Sequence, residues 1–228
     1  MNKNYTEIAF ILDRSGSMGS CREAAIDGFN TFLKEQQETE GLAKLTLVLF
    51  DDEYLVPVSS IPVQEVTPLD ETSYDPRNTT ALLDAMGRTI DELGERLAQM
   101  PEAARPGQVI VTVLTDGLEN ASEKYSWKDI SSRIQRQTED YKWNFFFLGA
   151  NQDAIATAAQ LSIVASNAAT YAGDAVGTRA SHRSHSRKVS GVRKMAMGLA
   201  SPEEVQDACA PMSSLLREED TKERRKES

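Results

Sequence analysis

The segment DRSGSM, Asp13 to Met18, places an acid and two hydroxyls at alternate positions directly after the apolar run IAFIL, 8–12. Polar side chains at the end of a buried run need partners. Two more polar positions stand in comparable places. Asp116 closes the run QVIVTVLTD (108–116), and Thr80 immediately precedes a long amphipathic repeat. Carboxylate and hydroxyl oxygens suit a hard cation, magnesium or in its place manganese, and no cluster of thiolates and imidazoles with zinc spacing competes for the role. Magnesium takes six oxygens at about 2.0–2.1 Å and usually keeps some waters. Gly16 gives the loop the backbone freedom to turn Ser15 and Ser17 toward one point. Two acids against one divalent ion, with neutral hydroxyls completing the shell, leave an electrophilic site. Such a site accepts an Asp or Glu from a protein partner.

Each of these residues also has a plainer reading. Ser15 and Ser17 are good helix caps, and Asp116-Gly117 is a common turn pair. Asp13 could be the nucleophile of a magnesium-dependent phosphatase or hydrolase. Those enzymes generally carry a second acid two residues later, where this chain has Ser15. Asp51, Asp52 and Glu119 are expected at the rim in solvent, and Asp75 near the threonine loop. His182 and His185, three residues apart among arginines, are expected in solvent rather than on a metal.

The elements that must position these groups follow from periodicity. EIAFILD (7–13), AKLTLVLFDDE (43–53), QVIVTVLTD (108–116) and WNFFFLGA (143–150) read as buried strands, with a weak strand in IVASNAATYA. YLVPVSSIP with QEVTPLD reads as an edge hairpin, because prolines are tolerated at edges and ends. Ile26, Phe29 and Leu33 form one stripe on a helix over 22–37. Met86, Ile90, Leu93, Leu97 and Met100 form another, stopped by Pro101. SWKDISSRIQRQTEDY places Trp127, Ile130, Ile134 and Tyr141 on one face, and a short helix is expected at DAIATAAQL. Apolar strands separated by helices imply an α/β fold, doubly wound, with a mostly parallel central sheet and helices on both faces. Binding groups then belong at the carboxyl ends of the strands.

At 228 residues, with 40% hydrophobic and 26% charged residues, the chain fits one sizeable globular domain. No apolar run reaches the roughly 18 residues of a membrane helix. The opening MNKNYTEIAF has no secretory pattern, and the distant Cys21 and Cys209 point to a reduced, cytoplasmic setting. The net charge of −10 argues against nucleic acid, except through the basic strip 179–194, which holds Arg179, Arg183, Arg187, Lys188, Arg193 and Lys194 and no acid. From Gly177 hydrophobic order weakens. Residues 177–228 read as a basic, polar C-terminal segment, partly disordered, with a short helix from Ser201-Pro202.

At the acid–hydroxyl positions the sequence resembles von Willebrand factor A domains, whose metal-ion-dependent adhesion site carries an Asp-x-Ser-x-Ser signature. DRSGSM matches that signature, TALLDAM resembles the family's threonine segment, and LTDG its third segment, in the same order. The resemblance covers about residues 5–170, and the domain is drawn as 1–176. It implies a Rossmann-like fold and a metal site of Asp13, Ser15, Ser17, Thr80 and Asp116, the last acting directly or through water. Where the family often has glycine ahead of its threonine, this chain has Asn78 and Thr79; Thr80 is preferred over Thr79 because TALLDA aligns without a gap. FDDEY and FFFLGANQDAI resemble bacterial and phage cytoplasmic members. The implied function is a non-enzymatic interaction module in intracellular complexes, with AAA+ ATPases as one class of partner and no membrane involved.

Overall fold

The computed structural model describes residues 1–150 and 153–226. Asn151 and Gln152, inside the quoted FFFLGANQDAI, and the final Glu227 and Ser228 lie outside the described residues. Six strands form one sheet: β1 (Asn2–Asp13), β2 (Leu42–Phe50), β3 (Tyr54–Pro62), β4 (Pro106–Thr115), β5 (Asn144–Ala150) and β6 (Ala168–Tyr171). Their order is β3-β2-β1-β4-β5-β6, and only the edge strand β3 runs antiparallel. The expected edge hairpin is a single strand: after β3 the chain makes a 3-10 turn, Val63–Glu65, and QEVTPLD adds no second strand. The chain winds outward from β1 in one direction and returns beside it as β4. That reversal opens a crevice beyond the carboxyl ends of β1 and β4.

Alternate residues of β1 enter different cores, as a strand covered on both faces requires. Ile8, Phe10 and Leu12 join α1 (Arg22–Glu38) and α5 (Ala175–Met197) on one face. Ala9 and Ile11 join α2 (Leu82–Gln99), α3 (Trp127–Tyr141) and α4 (Ala154–Gln160) on the other. The stripes expected on α1 and α2 are buried, although Met100 lies just past α2. On α3, Ile130 and Ile134 are buried, but Tyr141, at the last position, is exposed. Among the described residues no helix is long and apolar enough to cross a membrane.

The polar stretch after Gly177 folds as α5, α6 (Pro202–Cys209) and α7 (Met212–Lys226). Hydropathy misses α5 because, apart from Val176, Val189 and Val192, its buried face is made of small and polar residues. Ser181 and Ser184 turn their hydroxyls back onto the carbonyls of Thr178 and Ser181, at 2.8 and 2.9 Å. His182 and His185 are fully buried rather than solvated: His182 stacks on Phe10 and His185 on Phe32. His182 has no hydrogen-bond partner on either ring nitrogen. Burial drives both imidazoles down to a pKa of about 3.

The basic strip also faces inward. Arg187 meets Asp207, Glu218 and Glu219 at 2.6, 2.9 and 2.7 Å, and Glu223 pairs with Arg179 and Arg183. Lys194 pairs with Glu204, Lys188 donates to the Ala210 carbonyl, and Arg193 donates to the carbonyl and amide oxygens of Gln36. The acids of α6 and α7 thus absorb charges that in sequence look available to a polyanion.

Two outcomes follow for stability. A Cβ on Gly28 would stand 2.3 Å from the His182 ring, so Gly28→Ala is expected to destabilise by about 1–3 kcal/mol in chemical denaturation. The neutral histidines contribute fully above the unfolded pKa near 6.5, and that contribution is lost as pH falls toward 3. His182→Phe keeps the stack on Phe10 and is expected to flatten the fall in stability between pH 6.5 and 4, as followed by urea midpoints.

Candidate metal centre

Asp13 is the last residue of β1, fully buried, and its carboxylate is held on both oxygens. The Ser15 backbone N–H donates to Oδ1 at 2.6 Å, and the Thr115 hydroxyl donates to Oδ2 at 2.5 Å. Buried tyrosines pin the two strand ends. Tyr74 donates to the Asp13 carbonyl at 2.6 Å and Tyr171 to the Thr115 carbonyl at 3.2 Å. After Asp13 the chain turns into a short 3-10 helix, Gly16–Cys21. Gly16 does not use a left-handed φ for this turn; among the described residues the glycines with positive φ are Gly41 and Gly198.

The serines do not cap helices. Neither Ser15, at the start of the 3-10 helix, nor Cys21, at the start of α1, makes a side-chain cap bond. The Ser15 and Ser17 hydroxyls lie 3.2 Å apart, and Ser17 donates to Asp116 Oδ1 at 2.5 Å. Gly117 shows where the remaining oxygens converge. A Cβ placed on it would lie 2.6 Å from Thr80 Oγ1 and 3.4 Å from both Asp13 Oδ2 and Ser15 Oγ. Any other residue at 117 would thrust a methyl group among these oxygens. Thr80 is buried and Thr79 exposed, so Thr80 is the threonine that reaches this point. All five residues named from the sequence meet at the mouth of the β1/β4 crevice.

The electrostatics suit a cation. Burial pushes the Asp13 carboxyl up to about 6, against the hydrogen bonds from Thr115 and Ser15, and the nearby Asp116 adds to the rise. Asp116 is also raised, chiefly by burial. Arg14, next in sequence, turns away and pairs with Asp51 and Glu53 at 3.2 and 3.1 Å. Among the described residues no three His, Cys, Asp or Glu side chains gather as a metal-holding group. A metal here therefore draws on hydroxyls as well as carboxylates. Asp13, Ser15, Ser17, Thr80 and Asp116 offer oxygen alone, which fits a hard divalent ion.

Several supporting residues escaped the sequence reading. Asp51 is fully buried rather than at the rim. It accepts from Arg14 and Arg77, and its carbonyl receives the Ala81 N–H at 2.8 Å, one residue past Thr80. The Asn78 carbonyl receives Gly16 N–H at 3.1 Å, joining the threonine loop to the serine loop. Asp75 pairs with Arg22 at 3.8 Å, and Asp52 accepts from the Asn78 amide at 2.9 Å. The position of Asp51 directly after an apolar strand was the available signal, and it is shared by surface acids.

No protein-family profile matches this sequence, and no curated protein matches it. Solved structures do match. A von Willebrand factor type A protein from Catenulispora acidiphila superposes with a TM-score of 0.55 at 17% identity, covering 82% of this chain and 43% of that one. Manganese-loaded Plasmodium vivax TRAP protein gives 0.54 at 16% identity, covering 76% and 70%. Proximal thread matrix protein 1 from the mussel byssus, with a zinc-occupied MIDAS motif, gives 0.50 at 17% identity, covering 73% and 41%. This chain spans less than half the length of the first and third of these proteins. The fold is that of von Willebrand factor A domains.

An ionised Asp13 is disfavoured by the metal-free fold above pH about 6, and this penalty is relieved as pH falls toward the unfolded value near 3.8. Asp13→Asn keeps an acceptor for Ser15 N–H and removes the charge. At pH 7 it is expected to stabilise the metal-free protein by up to about 3 kcal/mol while abolishing any gain in Tm on adding manganese. Differential scanning calorimetry with and without chelator reads both effects.

Proposed function

We propose that the protein is a divalent-metal-dependent protein–protein interaction module that captures an Asp or Glu of a partner at the β1/β4 crevice. The observation that carries this reading is the approach of Thr80, Asp13 and Ser15 oxygens to one point over Gly117, beside the Ser17–Asp116 bond. Asp13, Ser15, Ser17, Thr80 and Asp116 would hold the ion. Once bound, magnesium, or manganese in its place, supplies a Lewis-acidic position for a carboxylate from outside. The manganese-loaded structure of TRAP and the zinc-occupied structure of the mussel thread protein support this assignment by analogy of fold.

The residues of the chain do the rest. Asp13, fixed by Ser15 and Thr115, holds negative charge at the end of β1 in a buried place. Ser15 and Ser17 turn neutral oxygens toward it, so that charge on the site stays low. Thr80 closes the opposite side. We place the module inside the cell, in complexes of bacterial or phage type and with AAA+ ATPases as a partner class, on the strength of the sequence resemblance. The phosphatase reading is weaker, because both Asp13 oxygens already accept hydrogen bonds and the side chain is enclosed.

Affinity capture with the full chain as bait tests the reading. A partner is expected to be retained in magnesium and lost both in chelator and with Asp13→Ala. Asp13→Ala should weaken manganese binding by more than the roughly 10–100-fold typical of removing an outer-shell group. Retention of the same partner at equal affinity in chelator contradicts the mechanism. Magnesium-dependent turnover of a simple phosphate ester, lost in Asp13→Asn, would favour the enzyme instead.

A further inference from the structure

The helix that carries Thr80 into the site does not cap itself. Ala81, at its start, offers no side-chain cap, and the first turn of α2 begins with backbone N–H groups that need partners. The segment that follows Asp116 supplies them. Glu119 Oε2 accepts the Leu83 N–H at 2.9 Å, and Ser122 Oγ accepts the Asp84 N–H at 3.0 Å. The exchange is reciprocal: the Asp84 carboxylate accepts the backbone N–H groups of Glu123, Lys124 and Tyr125 at 3.0, 2.9 and 2.9 Å. Glu119 is itself anchored by Ala121 N–H, Ser122 N–H and the Ser122 hydroxyl.

Thr80 sits at the end of this zipper. Its N–H donates to Asn120 Oδ1 at 2.9 Å, and its carbonyl receives the Asn120 N–H at 3.1 Å. One residue thereby grips the Thr80 backbone on both sides. A separate observation shows the two segments are shaped for each other. A Cβ on Gly87, in the second turn of α2, would lie 2.5 Å from the Tyr125 ring, so glycine lets the segment lie flat on the helix.

We infer that residues 119–125 form a clamp that fixes Thr80 relative to Asp116, with Asn120 and Glu119 as positioning residues. This deepens the metal-site reading and rests on it for its functional consequence. The threonine loop and the loop after β4 then move as one body, so neither side of the site can open alone without breaking the zipper. Sequence spacing could not show this, since Thr80 and Asn120 lie 40 residues apart and the bonds run to backbone.

The test uses the full chain in two arms. In the metal-free arm, hydrogen exchange at the Thr80 amide is expected to speed up at least about tenfold in Asn120→Ala and to stay slow in Asn120→Asp, which keeps the acceptor. In the second arm manganese is titrated calorimetrically. Asn120→Ala and Glu119→Ala are each expected to weaken binding about tenfold, the scale of losing an outer-shell partner. Combining Asn120→Ala with Thr80→Ala should cost no more than Thr80→Ala alone, since both act through one hydroxyl. Unchanged Thr80 exchange in Asn120→Ala overturns the clamp, as do additive losses in the double variant. Wild-type protein that binds no manganese while Asn120→Ala speeds Thr80 exchange overturns the metal reading and leaves the clamp standing.

Discussion

Two carboxylates lie at the ends of neighbouring parallel strands, and among the described residues no cationic side chain is set against them. Asp13 is buried, its pKa raised to about 6, and Asp116 stands beyond the Ser15 and Ser17 hydroxyls, accepting from Ser17. Arg14 could have neutralised this charge, yet it is committed to Asp51 and Glu53. Burying a charge without a counter-charge is costly, and folds tolerate the cost where a ligand relieves it. Much of the surrounding structure keeps this arrangement in place. Tyr74 and Tyr171 pin the strand ends, Asp51 and Asn78 join the threonine loop to the serine loop, and the 119–125 segment holds the far side.

The sheet explains why the charge sits there. With order β3-β2-β1-β4-β5-β6, the chain reverses direction of winding between β1 and β4, and the loops after these strands diverge around a crevice. Gly117 is required at its floor for a local reason, the close approach of Thr80 Oγ1. Identity with the matched structures is low, so they share the architecture with this chain while its site chemistry has to be argued from its own residues.

Much of this was legible in the sequence, and the exceptions have physical causes. Asp13, Ser15, Ser17, Thr80 and Asp116 stood out because polar residues directly after apolar strands, or at the head of a strongly periodic helix, break a pattern. The sheet was legible because strands buried on both faces are continuously apolar. α5 was not, because between Val176 and Val189 its buried face is carried mostly by serine, histidine, glycine and a buried lysine, which hydropathy scores as polar or neutral. The close approach permitted by Gly28, opposite His182, replaces the large side chains that would have announced a core helix. Asp51 is enclosed and Glu119 is half-buried on backbone N–H groups where solvated acids were expected, since an acid bound to an arginine or to backbone N–H groups has the same local sequence as a solvated one. Asn120 was missed altogether, because side-chain bonds to a distant backbone leave no periodic trace.

The central claim is that oxygens from three separate segments surround one hard cation at the β1/β4 crevice. Crystals soaked in manganese and measured at its absorption edge test it directly. An anomalous peak is expected between Asp13, Ser15, Ser17 and Thr80, bordered by Asp116, and it should disappear in Asp13→Asn. A fully soaked crystal with no peak there, or with Thr80 and Asp116 turned away from Asp13, would contradict it.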